Sequence, residues 1–499
     1  MRLYSALLGL LAPSLCIAAN PSRVELPADF KVPQVFKNTN LVRNTNLEKA
    51  YVRETINVVV ENTDKQPQSD YYIPFPSQVF GRVGGFEVRD KKAPEKGRFE
   101  VDATEVDPSS GNQYFVVHLS EPLAPKAEIT LGISYSILSS VHPRPATINQ
   151  ADQQYLSYTF SAYVPSAYQT VTQKTKLKFP NTQVPDYTTT SGIKSGSGED
   201  PERKGATYTY GPYNTAKVAP GTEHPITVRY EFTHPVITAH LLERDLEVSH
   251  WGGNLATEER YWLRNNASQL INHFSRVEWT LANYQKLPSS AVREIVYPLQ
   301  PGSVDPYFTD DIGNVSTSRF RPGTAKTPAH LELKPRYPIF GGWNYSFRVG
   351  WNQDLTRYLR RAVSGSDSYV LKVPFLEGPK VPEGVQYERV VVRVVLPEGA
   401  HNVRFQTVDG ASSNGLPGAN HIASHLSSLK TYMDTLGRTT LTLEVDSLTD
   451  EARNAQLVVT YEHSLVDSLR KPATMFAGVL SLFVAAWLIG KIDISIKKR

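Results

Sequence analysis

The stretch YVRETINVVVE, Tyr51 to Glu61, places Val52, Ile56, Val58 and Val60 on one side of an extended chain and Arg53, Thr55, Asn57 and Glu61 on the other. Period two with one polar side is the pattern of a half-buried strand in an antiparallel sheet, because successive side chains of a strand point to opposite faces. It recurs along the chain. Ile129 to Tyr135 alternates Ile129, Leu131, Ile133 and Tyr135 against Thr130, Gly132 and Ser134, and Ile226 to Phe232, Val390 to Leu396 and Leu457 to Tyr461 follow the same rule.

Thirty-five prolines and thirty-one glycines punctuate these runs, as the turns of sandwiches require. The fold class expected is therefore mainly β: two tandem β-sandwich-like domains with minor helix, followed by one C-terminal transmembrane helix. The segments ITLGISY, ITVRYEF and LVVTYEH echo one another. Either one strand is reused in related domains, or strand chemistry recurs by chance. Two stretches, Ser191 to Gly205 and Asp409 to Gly418, read as loops by composition. A helix is expected over Asp354 to Val363, where Leu355, Tyr358, Leu359, Ala362 and Val363 share a face and Arg357, Arg360 and Arg361 tend to the other.

The ends of the chain set its topology. Arg2, an apolar run from Ala6 to Ala12, and small residues at Ala18 and Ala19 read as a secretory signal over 1–19. Pro472 to Gly490 offers nineteen residues without a charge, about the length that crosses a hydrocarbon core of roughly 30 Å. Arg470 and Lys471 precede it; Lys491, Lys497, Lys498 and Arg499 follow it against Asp493 alone. That basic excess favours a cytosolic tail and a body on the other side, a type I arrangement. The expected division is a lumenal β-rich domain over 20–235, a second over 236–470, a transmembrane helix over 471–490 and a cytosolic tail over 491–499. The net charge of +4 resides in the leader and tail, which leaves the body neutral and argues against nucleic acid as a partner. The single cysteine, Cys16, lies in the leader, so the mature body is expected to be held by hydrophobic cores without disulfides.

Candidate chemistry is sparse. SHWGGNLATEERYWLRNNAS, Ser249 to Ser268, gathers His250, two tryptophans and the pair Glu258 and Glu259. Neighbouring residues diverge on any regular backbone, so these carboxylates cannot flank one bond and are expected to be surface charges. Asp310 and Asp311 meet the same objection. His421 and His425 would share a helix face, yet HIASH lacks the glutamate of the zinc motif HExxH. No catalytic residue, cofactor site or metal site is assigned. Sequons stand at Asn266, Asn314 and Asn344, the glycosylation candidates.

RDLEVSHWGGNLATEE, TDDIGNVSTS, LKPRYPIFGGWNYSFRVGWN, VVLPEGA and TYMDTLGR, followed by an apolar span and KIDISI, occur in an order that resembles the ribophorin I family. This is the large single-span subunit of the endoplasmic reticulum oligosaccharyltransferase. The likeness runs from about residue 40 to the C-terminus. It implies a non-catalytic subunit of the complex that moves a glycan from dolichol pyrophosphate to Asn-x-Ser/Thr, with catalysis in a polytopic partner subunit. Other implied partners are the remaining subunits, nascent polypeptides and, through one span, membrane lipid. The nine-residue tail resembles the fungal arrangement rather than the long cytosolic region of animal members, which puts ribosome docking in doubt. The resemblance also reads SHWGGN as a domain corner, with Trp251 filling a core, Gly252 and Gly253 permitting a tight turn, and Tyr261 and Trp262 beneath. Gly341 to Trp343 would be a second corner. Two competing readings are a single-span adhesion or receptor ectodomain and a lumenal hydrolase or transferase in its own right.

Overall fold

The computed structural model describes residues 24–27, 30–105, 111–190, 200–324, 327–362, 366–409, 416, 422–431, 434 and 437–491. The leader, the tail beyond Lys491, residues 191–199 of the first loop and nearly all of the second lie outside the described residues. Of the first loop, Glu202–Lys204 is a short strand.

The strand read from Tyr51 to Glu61 runs from Val52 to Asn62 and lies inside a seven-stranded sheet. In order across the sheet the strands are Glu202–Lys204, Thr207–Asn214, Gln169–Lys178, Phe36–Asn46, Val52–Asn62, Glu128–Ile137 and Val83–Asp90. One face of this sheet carries two cores side by side. Ile56, Val58 and Val60 pack with Tyr71, Phe75 and Phe115 of one four-stranded sheet. Val52, on the same side by the two-residue period, packs with Leu156, Tyr158 and Tyr230 of another.

The second half repeats this plan, with one strand more in its long sheet and one fewer in one of the covering sheets. Its eight-stranded sheet runs Ala423–Leu429, Arg438–Thr449, Val385–Glu398, Ile237–Ser249, Asn254–Asn265, Asn344–Asp354, Val304–Asp310 and Gly313–Asn314. The parallel pair Gln169–Lys178 with Phe36–Asn46 corresponds to the parallel pair Val385–Glu398 with Ile237–Ser249. The hairpin that follows carries a bulge at the same place in each half, between Asn38 and Asn40 and between Ala239 and Leu241. Here too one face is covered by two smaller sheets, of three and four strands. Of the three echoing segments, ITVRYEF and LVVTYEH fall on corresponding strands, Pro225–Glu231 and Ala455–Glu462. ITLGISY falls on Glu128–Ile137, whose counterpart is Asn344–Asp354, so its likeness to the other two is strand chemistry alone.

Each half places an arginine at the same register position, under the seam between its two smaller sheets. Arg43 lies opposite Ile56, and Arg244 lies opposite Glu259. Both are buried and both donate to the last carbonyl of a corresponding strand: Arg43 to Ser161 of Tyr155–Ser161, Arg244 to Pro374 of Ser368–Pro374 at 3.4 Å. Their carboxylates differ in origin. Arg43 lies 3.9 Å from Glu54, which also accepts from Tyr135 at 2.6 Å and from Thr45 at 3.1 Å. Arg244 is held between Glu259 and Glu377, with its second nitrogen 2.8 Å from Glu377. Burial would lower the Arg244 pKa, but the two carboxylates raise it overall, while burial pushes Glu377 above the usual carboxylate range. Glu259, expected at the surface, is fully buried. The alternating pattern put it on the apolar side of its strand, where only a partnered charge is tolerated.

The halves join through the tip of the first hairpin, residues 47–51. Ala50 N donates to Glu383 O at 2.8 Å and Gln386 Nε2 to Ala50 O at 3.0 Å, while Tyr51 OH donates to Asp450 at 2.6 Å. Gly84 seals a second contact, since a Cβ there would lie 1.9 Å from Ser447 O.

Asp354 to Val363 is not a helix. Asp354 ends a strand, Leu355–Arg357 makes one 3-10 turn, and Leu359–Arg361 pairs with Ser368–Pro374. Val363 lies outside the described residues. Leu355, Tyr358 and Leu359 reach the core from a turn and strand as well as they would from a helix. A partner strand then outbids a weak local preference.

Arg244→Met is expected to destabilise the full chain by about 3–5 kcal/mol, because two buried carboxylates lose their cation. Denaturant unfolding in detergent reads this, and adding Glu259→Gln and Glu377→Gln is expected to recover part of the loss. An unchanged transition for the single variant would contradict the role given to this cluster.

Candidate functional site

The last strand of the second half, Ala455–Glu462, passes through His463 and Ser464 into a helix, Leu465–Lys491. Its apolar window has a mean hydropathy of 2.0 and no buried residue. It is long and apolar enough to cross a bilayer. The helix begins before the expected start at residue 471, and that extra turn carries the joint to the body. Ser464 Oγ accepts from Asp467 N at 3.2 Å, while the Asp467 carboxylate accepts from Ser464 N at 3.2 Å and from its hydroxyl at 2.6 Å. This reciprocal cap satisfies donors that the first turn leaves unpaired.

The turn that contains SHWGGN lies against this helix start. Trp251 Nε1 donates to Ser468 O at 2.9 Å. Trp251 is 69% exposed, so it does not fill a core as expected. Its sequence neighbours Gly252 and Gly253 bend the chain outward, Gly253 with φ of +59°, and the indole is carried past the sheet end. His250 stays behind, 2.8 Å from Tyr461 OH and 4.8 Å between ring centres from both Tyr369 and His463. Burial, with the nearby His463 and Arg361, pushes its pKa down to about 4, which leaves a neutral ring at neutral pH. Tyr261 and Trp262 are not beneath this turn. Tyr261 is buried in mid-strand, stacked on Phe347 and bonded to Glu259, and Trp262 faces the opposite side.

Two further contacts lock the helix. Lys471 Nζ lies 2.8 Å from Asp434, whose side chain is fully enclosed and also accepts from Thr431 N at 2.9 Å. Burial raises the Asp434 pKa, but these hydrogen bonds and the lysine charge outweigh it and hold the carboxyl at about 2. Gly399, with φ of +90°, lies where a Cβ would come within 2.8 Å of Asp467 Cβ, so the strand end and the helix touch. The arrangement can transmit the orientation of a bilayer-spanning rod to the whole body.

The remaining sequence candidates are placed elsewhere. Glu258 pairs with Arg260 at 3.1 Å on the face opposite Glu259. Asp310 is a turn anchor that accepts from Ile312 N and Gly313 N and pairs with Arg336, while Asp311 is exposed. His425 lies on the strand Ala423–Leu429, so the shared helix face does not exist; His421 lies outside the described residues. Among the described residues no group of three or more His, Cys, Asp or Glu has metal-binding geometry. Gly341 to Trp343 is a corner: a Cβ on Gly341 would lie 2.1 Å from Ser268 O, and Gly342 has φ of +79°. Ser464-x-x-Asp467 before an apolar run is a start signal visible in sequence. The pair Asp434 and Lys471 is not, since nothing local joins them.

A large β body built as a tandem repeat and fixed, among the described residues, to one helix long and apolar enough to cross a bilayer fits a class: single-span membrane proteins with a β-rich body. The chain belongs to the Ribophorin I family, whose profile matches residues 36–490. It is 28% identical over 443 residues to dolichyl-diphosphooligosaccharide–protein glycosyltransferase subunit 1 of Schizosaccharomyces pombe, covering 89% of this chain and 92% of that one. It is 32% identical over 385 residues to subunit 1 of Caenorhabditis elegans, covering 77% of this chain and 60% of the worm protein. It is 28% identical to subunit 1B of Arabidopsis thaliana, covering 91% and 92%.

Asp434→Asn is expected to loosen the joint at neutral pH. A carboxyl depressed in the folded state stabilises above its unfolded value, near 3.9, and that contribution fades as pH falls toward 2. The difference in melting temperature between wild type and variant should therefore be constant from about pH 5 to pH 8 and shrink below about pH 4. A difference that grows on acidification would refute the assignment.

Proposed function

We propose that this chain is a non-catalytic subunit of an oligosaccharyltransferase complex, anchored in the endoplasmic reticulum membrane with its body in the lumen. The observation that carries this reading is the family match over residues 36–490, together with relatives named as subunit 1 of dolichyl-diphosphooligosaccharide–protein glycosyltransferase. A protein named as one subunit has others to serve. Transfer of the glycan to Asn-x-Ser/Thr is assigned to a polytopic partner, and this body holds the assembly together and presents nascent chains to it. The rigid joint supports such a role, since a scaffold works only if its attitude to the membrane is fixed. The domain division follows the repeat: one lumenal domain through about residue 235, a second to residue 470. The names of the relatives leave the adhesion-receptor reading without support.

The tagged full chain, solubilised in mild detergent, is expected to bring down activity that moves a glycan from a dolichol-pyrophosphate donor to an Asn-x-Ser peptide. The chain purified away from its companions should have none. Recovery of the tagged chain as a monomer, or transfer by it alone, would overturn the reading.

The sequons differ in setting. Asn314 and Asn344 are exposed, whereas the Asn266 amide nitrogen, the atom that would carry a glycan, donates to buried Thr238 at 3.0 Å. Asn314→Gln and Asn344→Gln are expected to shift the mobility of the protein on a gel and Asn266→Gln to leave it unchanged; a shift with Asn266→Gln alone would contradict this.

A further inference from the structure

The two halves differ most at one connection. After the hairpin of the first half, residues 63–67 lead from Asn62 to the next strand at Gln68. The corresponding connection of the second half, from Asn265 to Ile295, takes residues 266–294 and contains the helix Arg276–Tyr284. The shared fold closes without this insert, and long connections in compact domains are usually functional.

The helix contributes no buried residue. Val277, Leu281 and Tyr284, spaced to form one stripe, are 79%, 55% and 87% exposed. It is nevertheless held firmly. Trp279 packs on Phe340 at 5.5 Å under the Arg293 guanidinium, and Ser275, which caps the helix, exchanges two hydrogen bonds of 3.0 Å with Gln150 of the first half. A helix positioned across the junction of the two halves thus offers its apolar stripe to solvent.

Beside it, at that junction, lies a groove of about 1780 Å³. Its carboxylates are mostly engaged: Glu383 with His234, Asp450 with Lys49 and Tyr51, Glu451 with Arg53. Four of its cations, Arg276, Lys286, Lys334 and Lys380, line the groove and make no ion pair among the described residues. Lipid is the wrong partner here. The strand Ile237–Ser249 separates this end of the body from the helix joint by about 40 Å.

We propose that the inserted helix and the cationic groove form a membrane-distal docking site for a polypeptide that presents apolar side chains flanked by carboxylates. The stripe supplies the anchor surface and the unpaired cations supply register and attraction. This reading stands on the geometry of the insert and does not require that the chain belong to a glycosyltransferase complex.

The experiment places a photoreactive phenylalanine at Leu281, or at exposed Glu223 as control, in the full chain in its own membrane. The expected result is an adduct at Leu281 with one protein, whose crosslinked peptide sequences as net acidic with apolar residues. The yield should fall at least about tenfold in a Lys286→Glu, Lys334→Glu, Lys380→Glu variant and in about 0.5 M salt. These side chains lie at the groove surface, so the variant should melt as the wild type does. The proposal is overturned by no adduct above the Glu223 control, by lipid adducts, by adducts between two copies of this chain, or by a yield indifferent to the charge reversals.

Discussion

A buried arginine at the same register position in each half is the constraint around which the body is arranged. A long sheet covered by two smaller sheets has a seam where neither small sheet fills the space. A guanidinium fits such a seam because its planar fork reaches in several directions at once. Arg43 and Arg244 each tie the long sheet to the terminal carbonyl of a strand in one covering sheet, and buried carboxylates face each charge, Glu54 for Arg43 and both Glu259 and Glu377 for Arg244. The carboxylates come from different positions in the two halves. The arginine and the strand-end carbonyl correspond, so they are the element the repeat shares.

Much of this was legible in alternation. Val52 to Val60 and Ile226 to Phe232 appear as strands with the buried faces expected, because a period of two is set by the pleat whatever the strand pairs with. What alternation hid was charge on the buried side. Glu54 and Glu259 stand in apolar rows, and only their distant partners make them tolerable. The repeat was audible in two short segments and silent elsewhere, since pairing order is a long-range property that few local residues record. The segment Asp354 to Val363 failed for the opposite reason: its helical pattern was real but short, and a neighbouring strand offered its backbone more.

The site was half legible. The apolar run announced the helix, but its start was expected at residue 471, because the serine–aspartate cap that sets it at Leu465 lies outside the apolar run. That Trp251 leaves the core to grip the helix depends on two glycines bending the chain and on the last strand ending nearby. Asp434 meets Lys471 only because a loop from a different part of the sheet returns to the same corner. Contacts of this kind are settled by the fold as a whole.

The hairpin tips carry one last implication. In the first half the tip plugs into the second half through Ala50 and Tyr51; in the second half the equivalent tip, with Trp251, meets the helix instead. A head-to-tail contact of this sort is open-ended and would admit a third module, then a fourth, as a growing filament does. Here the apolar helix takes that position as an end-stop, so the tip residues that would hand the contact on are engaged in fastening the body to the helix.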